Sequence, residues 1–290
     1  MKHFISPAAV AVTALICATS CSIKEDRTLC TSPVHVTVDN FSIVQEDFPA
    51  TRTVQRAADY EGVETISLAF FDGDGTKVYE SAQLRSDTST YTTFGDFSLR
   101  LPYGNYTMVV LGSASTSAMV LTSPTSAAMG EDKVRETFAC SRSVTVDGTT
   151  DLSATLSRII SRLVVQSSDG RPEDIVSFRI TLSKGGKTFN PSTGLALTDN
   201  GFTNLIEPST AAGATVKLTT NLFLFTDEEG VDITVEGLDS NGNAITYRSA
   251  TGVPLKRNRA TTISGNIFLA GSSGGFSLES DWLEDQQTEF

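Results

Sequence analysis

Along most of the chain, apolar and polar residues alternate with a period of two. Val34, Val36 and Val38 are separated by His35 and Thr37, and Ile66, Leu68 and Phe70 follow the same rule. So do Phe97, Leu99 and Leu101, and later Val176, Phe178, Ile180 and Leu182. Successive side chains of a strand point to opposite faces, so each run predicts a strand with one buried face. Further strands are predicted over residues 106–111, 143–146, 163–166, 216–225, 232–237, 244–248 and 261–268. Clusters of Gly, Asn, Asp, Ser and Pro separate them at the intervals of a β-sandwich. One short helix is expected over residues 126–137. The fold class expected is all-β.

The alternation breaks at "DGTTDLS", Asp147 to Ser153. This predicts two tandem β-sandwich domains, residues 31–152 and 153–290, with a single long sandwich as the alternative. Two stretches look alike, "VETISLAFFDGDGTKVYESA" from Val63 and "VDITVEGLDSNGNAITYRSA" from Val231. Each runs from an alternating strand through an Asp-and-Gly turn into a second strand, as two domains built on one plan would. In "LPYGNYTMVVLG", Pro102 and Gly104 fit a tight turn, because Pro presets φ and Gly tolerates positive φ. Turns of this form resemble those of transthyretin-like sandwiches.

The first twenty residues read as an export signal rather than as fold. Lys2 supplies a positive n-region, residues 4–18 are largely apolar, and Ala18, Thr19 and Ser20 are small residues before Cys21. That is a lipobox, with Ala18 where many such signals carry Leu. Cys17 is not the lipid site, since the preceding Ile16 is too large for a cleavage position. Acyl chains on Cys21 would hold the mature chain to a bilayer, at about 0.8 kcal/mol per buried methylene. Residues 21–30 then form a tether. No other apolar run approaches the ~20 residues of a spanning helix.

The net charge is −12, and removal of the signal with Lys2 makes it −13. Such acidity repels phosphate backbones, so nucleic acid is not expected as a partner. Cys30 and Cys140 would be the two unmodified cysteines of the processed chain. An oxidising compartment makes a disulfide between them an expectation, provided their Cα atoms approach within about 7 Å.

Candidate chemistry is sparse. "FFDGDGTK" places Asp72, Asp74 and Thr76 in the D-x-D-G-T order of haloacid dehalogenase-like phosphatases. Such an enzyme needs its aspartate at the carboxyl end of a parallel strand in a doubly wound α/β sheet, and no strand–helix alternation is present. The acidic run "TDEEG", Thr226 to Gly230, would have to supply its Mg²⁺ ligands. The simpler reading of Asp72-Gly73-Asp74-Gly75 is a hairpin turn. A calcium loop fits no better, since the twelfth position is Gln83 counting from Asp72 and Ala250 counting from Asp239.

After removal of the signal, which holds His3, His35 is the only histidine. That excludes imidazole metal clusters, and any histidine-dependent triad would have to use a residue that reads as the outward face of a strand. Trp282 is the only tryptophan, which is little material for a sugar-stacking cleft. No cofactor, no metal and no enzymatic activity are expected.

Several stretches together resemble the fimbrillin superfamily of the Bacteroidetes, including its FimB-like anchor and accessory lipoproteins. They are "CSIKEDRTLC" at the lipobox, "VETISLAFFDGDGTKVYE", "FSLRLPYGNYTMVVLG", "LSRIISRLVVQ" from Leu156 and "VPLKRNRATTISGNIF" from Val253. The resemblance implies two transthyretin-like β-sandwich domains and a lipoprotein on the outer face of the outer membrane, with other fimbrial subunits as partners. In polymerising members a cut after an arginine releases an early strand, and a strand of the next subunit takes its place. Arg52 and Arg56 in "ATRTVQRAADYEG" stand where such a cut would fall, and a plain loop arginine is the alternative. Anchor members keep their lipidated terminus. The tail from Phe276 to Phe290 reads as a donor segment or as an unstructured end. A surface adhesin for glycans or host proteins is the competing function.

Overall fold

In the computed structural model, residues 31–44, 52–57, 59–269 and 277–279 are described, and the alternating segments lie in β-strands or directly beside them. The first half of the chain forms β1 (Thr31–Val44), β2 (Arg52–Arg56), β3 (Thr65–Phe71), β4 (Lys77–Leu84), β5 (Asp96–Pro102), β6 (Gly104–Ser113), β7 (Val120–Ser123), β8 (Ser126–Ala128), β9 (Thr137–Val146) and β10 (Thr150–Arg158). The second half forms β11 (Ser161–Ser167), β12 (Ser177–Leu182), β13 (Thr188–Asn190), β14 (Leu195–Ala196), β15 (Phe202–Ile206), β16 (Lys217–Leu222), β17 (Glu228–Leu238), β18 (Ala244–Lys256), β19 (Ala260–Gly265) and β20 (Ser277–Glu279). The described residues contain no helix.

Both halves are sandwiches of one topology. In the first, β1 runs antiparallel to β5 and parallel to β10. Facing them is the antiparallel sheet β4-β3-β6-β9. In the second, β11 runs antiparallel to β16 and parallel to β19, and the facing sheet is β15-β12-β17-β18. Seven strands therefore correspond one to one: β1 with β11, β3 with β12, β4 with β15, β5 with β16, β6 with β17, β9 with β18 and β10 with β19. The last two pairs are even joined alike, by residues 147–149 and 257–259.

Each sandwich closes over its own apolar core. Val34, Val36, Phe41, Leu68, Phe70, Phe97, Val110 and Phe138 pack in the first, and Leu163, Val165, Phe178, Ile180, Val235 and Ile263 in the second. A third core lies between them. There Ala69, Phe71, Val109 and Leu111, on the far face of the first sandwich, meet Met119, Leu121, Phe189 and Phe223. The small sheet β14-β13-β8-β7 crosses this junction, with Phe189 opposite Ala127. Phe189 and Phe223 stack with centroids 4.3 Å apart.

The structure corrects four expectations. First, β3 is buried on both faces, because the third core covers the side expected to face water. Second, residues 126–137 are not helical. Ser126–Ala128 is a strand on β13, and Ala127 and Met129 alternate into the third core with period two. Third, the expected break at residue 153 falls inside β10, which pairs with β1 from Val34↔Thr150 to Ser42↔Ser157. The change of sandwich comes at Ile159 and Ile160, buried in the junction.

Fourth, the two similar stretches are not equivalent in the fold: β3–β4 corresponds to β12–β15, whereas β17–β18 corresponds to β6–β9. What they share is a turn. Asp72 Oδ1 accepts the amides of Asp74 and Thr76 at 3.0 and 2.8 Å, and Asp239 Oδ1 accepts those of Asn241 and Asn243, both at 2.8 Å. Gly75 and Gly242 close both turns at φ 77° and 81°, a conformation costly for any residue with a Cβ.

Candidate assembly interface

The strand that precedes Arg52 and Arg56 is β1. It is the middle strand of its sheet, with β5 along Thr31–Thr37, β2 along Asn40–Val44 and β10 on the other side. A bulge between Val38 and Asn40 turns the chain from the first neighbour to the second. Val34, Val36, Val38 and Phe41 all point inward and are at most 3% exposed. Loss of β1 would strip β5 and β10 of their ladder partner and open the core along its length.

His35 lies on the opposite face of β1, exposed, with Nδ1 3.0 Å from Ser98 Oγ. Cys21 and Cys30 precede the described residues.

Arg52 and Arg56 bound β2, so they lie on a paired strand and not in a plain loop. In register, Arg52 stands opposite Val44 and Arg56 opposite Asn40. The Arg56 side chain is exposed, but the peptide after it is hydrogen-bonded at both its carbonyl and its amide. Its carbonyl accepts the amides of Asp59 and Tyr60, and the Ala57 amide donates to Asp39 O at 3.2 Å. Ala57 is buried, and the Arg85 guanidinium donates to the carbonyls of Ala57, Tyr60 and Val63 while covering the Phe94 ring at 4.1 Å. Hydrolysis at Arg56 would therefore require this corner to open first.

Cys140 is a free, half-buried thiol on β9. Burial raises its pKa above the ordinary thiol value, with the Arg142 cation opposing. Thr31 pairs with Pro102 at the end of the sandwich where Gly104 meets Val146. Cys140 lies six residues up β9 from Val146, about 20 Å at the rise of a strand. The bridge expected from the sequence involves Cys30, which lies outside the described residues.

The acidic motifs are spent on structure. β3 is antiparallel to both neighbours, and Asp72 caps the turn that follows it. In "TDEEG", Glu229 Oε1 accepts the Thr226 amide at 2.6 Å, and Asp227 pairs with Arg257 at 2.7 Å. Among the described residues no three His, Cys, Asp or Glu side chains gather as metal ligands.

One site escaped the sequence reading. Asp169, before β12, accepts three consecutive amides, those of Ile267, Phe268 and Leu269, at 2.8–2.9 Å. Arg248 donates to Asn266 O at 3.0 Å and also to Leu269 O. Together they fasten the segment from which the C-terminal tail departs. Of the tail, the backbone of Ser277–Glu279 is described, as β20 antiparallel to Thr262–Ser264 of β19. Trp282 lies outside the described residues. No local signal distinguishes Asp169 from other turn aspartates, because its partners come from about 100 residues away.

The fold defines an all-β protein of two β-sandwiches joined through a shared third core. The chain belongs to the family described as a family of unknown function, DUF6562, whose model matches residues 33–289. No curated protein matches it. Among solved structures it is similar to a proposed adhesin from Bacteroides ovatus, at 14% identity and TM-score 0.51, covering 88% of this chain and 93% of that one. It is also similar to the fimbrial anchor protein Mfa2 from Porphyromonas gingivalis, at 12% identity and TM-score 0.48 over 81% and 91%. A fimbrial assembly protein from Parabacteroides distasonis aligns at 11% identity and TM-score 0.36 over 82% and 91%. At these identities the likeness is one of fold.

Proposed function

We propose that the chain is a cell-surface fimbrial subunit of the anchor or accessory kind, held to the outer membrane by lipid on Cys21 and joined to other fimbrial subunits by β-strand addition. The observation that carries this reading is the place of β1. Cys21 stands ten residues before Thr31, so an acylated Cys21 would tether the membrane directly to the central strand of the first sandwich.

A cut between β1 and β3 would release the lipid and the strand together. Retention of β1 therefore belongs with an anchored role, and its release with a polymerising one. The enclosed peptide after Arg56 supports retention. Arg52, opposite Val44 at the start of β2, is the site that the alternative would use, a shaft or tip subunit cleaved after an arginine. The reading assigns the chain no catalysis and no cofactor.

Intact mass analysis of the protein recovered from outer membranes tests the proposal. The expected N-terminus is an acylated Cys21 on an uncut chain, and Cys21→Ala should abolish surface display. An unmodified N-terminus at Thr53 or Ala57 would replace this reading with the polymerising one.

A second reading, a surface adhesin for glycans or host proteins, draws on the exposed face of the second sandwich. Leu205, Arg179, Glu236 and Tyr247 stand in one row across four strands, with Arg179 and Glu236 paired at 3.0 Å. Glycan-array binding lost in Tyr247→Ala, without fimbrial association, would favour it.

A further inference from the structure

The two sandwiches match strand for strand until the eighth position. In the second, β20 lies against the outer edge of β19, with Ile263 opposite Leu278. In the first, the equivalent edge belongs to β10, and among the described residues no strand pairs with it between Thr150 and Leu156. β9 and β10 separate beyond the turn at 147–149 and meet again only at Ser157↔Ala139 and Arg158↔Phe138.

The slit between them is visible in side-chain exposure. Phe138, Val144 and Val146 share one face of β9 and are buried in the first core. Cys140 and Arg142 lie on that same face by alternation, yet Cys140 is half-buried and Arg142 is exposed. Across the slit, Leu152 of β10 is also only half-buried, although its neighbours on that face, Ala154 and Leu156, are inside. Among the described residues no strand covers this strip as β20 covers its counterpart.

Other strand edges carry protection that β10 lacks. β18 has Arg248, Pro254, Lys256 and two irregularities of register, β4 has Lys77 and a bulge opposite Phe71, and β15 is five residues long. The open stretch of β10, "TDLSATL", contains no proline, no basic residue and no bulge against its outer side. An edge of that kind is a template for another strand.

We propose that this edge of β10 accepts the Ser277–Glu279 strand of a second copy of the chain, antiparallel and beside β9, while β1 stays in place. The chain supplies its own precedent, since that segment already fills the equivalent edge of the second sandwich. The exposed Arg142 suits the one acidic residue of the segment, Glu279. In its own chain the segment holds β19 through three residue pairs, so exchange disturbs little, and the Asp169 fastening keeps residues 267–269 docked meanwhile. Joining at β10 would need no proteolysis. The inference rests on the strand-addition reading and names an acceptor for it.

The test is residue-resolved hydrogen exchange of the full processed chain, with and without a synthetic peptide spanning Gly275–Trp282, against a scrambled peptide. We expect amides within Thr150–Leu156 to exchange about tenfold more slowly at saturating peptide, with β1 unchanged. Alkylation of Cys140, followed by mass mapping, should slow in parallel, and Arg142→Glu should weaken both effects. Faster exchange at Val34–Phe41 would mean that the peptide replaces β1, which overturns this acceptor but keeps strand addition. No change at either strand overturns the acceptor, while an acylated, uncut Cys21 terminus would still stand for the anchor reading.

Discussion

Arg158 donates to Glu136 Oε1 at 2.6 Å, in a place where the two side chains are 9% and 15% exposed. Glu136 also accepts from Tyr60 and from Arg162, at 3.0 and 3.4 Å. Arg162 belongs to β11 and reaches Asn221 on β16, so one carboxylate ties the end of the first sandwich to the start of the second. Removing it leaves Arg158 charged beneath the Phe138 ring. Glu136→Ala should cost about 3 kcal/mol, the scale for breaking a mostly buried pair, in urea unfolding. Arg162→Ala, losing a longer and more exposed contact, should cost about 1 kcal/mol or less.

Tyr60 makes the same cluster sensitive to alkali. Burial, then the Glu136 charge, raise its phenol pKa above the ordinary value. A group whose folded pKa is raised keeps its contribution below the unfolded pKa, about 10 for tyrosine, and loses it as pH climbs through the folded value. Stability should therefore fall above pH 10. Tyr60→Phe should lower stability by about 1 kcal/mol at neutral pH through the lost hydrogen bond. It should also flatten the alkaline decline, leaving the part due to Tyr106, which burial shifts in the same direction. Thermal melts across the range will show whether the slope changes.

The Asp239 carboxylate titrates below the ordinary aspartate range because the amide and side chain of Asn243 bond to its charged form. A depressed folded pKa contributes stability above the unfolded value and loses it as pH falls through the folded one. Carbon-detected NMR titration should place Asp239 below a reference aspartate. Asp239→Asn should keep the turn and Asp239→Ala should lower the melting temperature.

Asp169→Ala removes the acceptor of three amides and should cost about 2 kcal/mol, the scale of charged hydrogen bonds. The effect should be local at first. Limited proteolysis should release the tail faster than in the parent, with cleavage near Asn266 to Leu269, while the first sandwich melts little changed. Equal proteolysis of the two proteins would count against the fastening role.

Cleavage by an arginine-specific protease discriminates between the two arginines. Brief digestion of the folded chain should leave the Arg56–Ala57 bond intact, because both its amide and its carbonyl are bonded and Ala57 is buried. Arg52→Ala should slow any cut in this region and Arg56→Ala should not. A first cut after Arg56 in native protein would show that the corner opens more readily than its contacts imply.

Some expectations failed for reasons that particular residues make plain. The runs at Val34, Phe97 and Phe178 were legible because burial of one face imposes alternation on the sequence itself. Phe71 and Ala69 were read as an outward face because what covers them, Leu121, Phe189 and Phe223, comes from segments 50 to more than 100 residues away. The paired stretches at Val63 and Val231 share an Asp-to-Gly turn that local chemistry dictates, but a turn does not record which strands will flank it.

The sequence by itself determined the all-β class, the Asp72 and Asp239 turns, the inward residues of β1 and the scarcity of groups for catalysis. These depend on side-chain alternation and on hydrogen bonds between near neighbours. Only the tertiary structure decided that the two sandwiches share a third core, that the peptide after Arg56 is hydrogen-bonded at both ends, that Asp169 holds residues 267–269 and that among the described residues β10 lacks the strand its counterpart has. Each of those is a meeting of segments far apart in the chain, and packing alone brings them together.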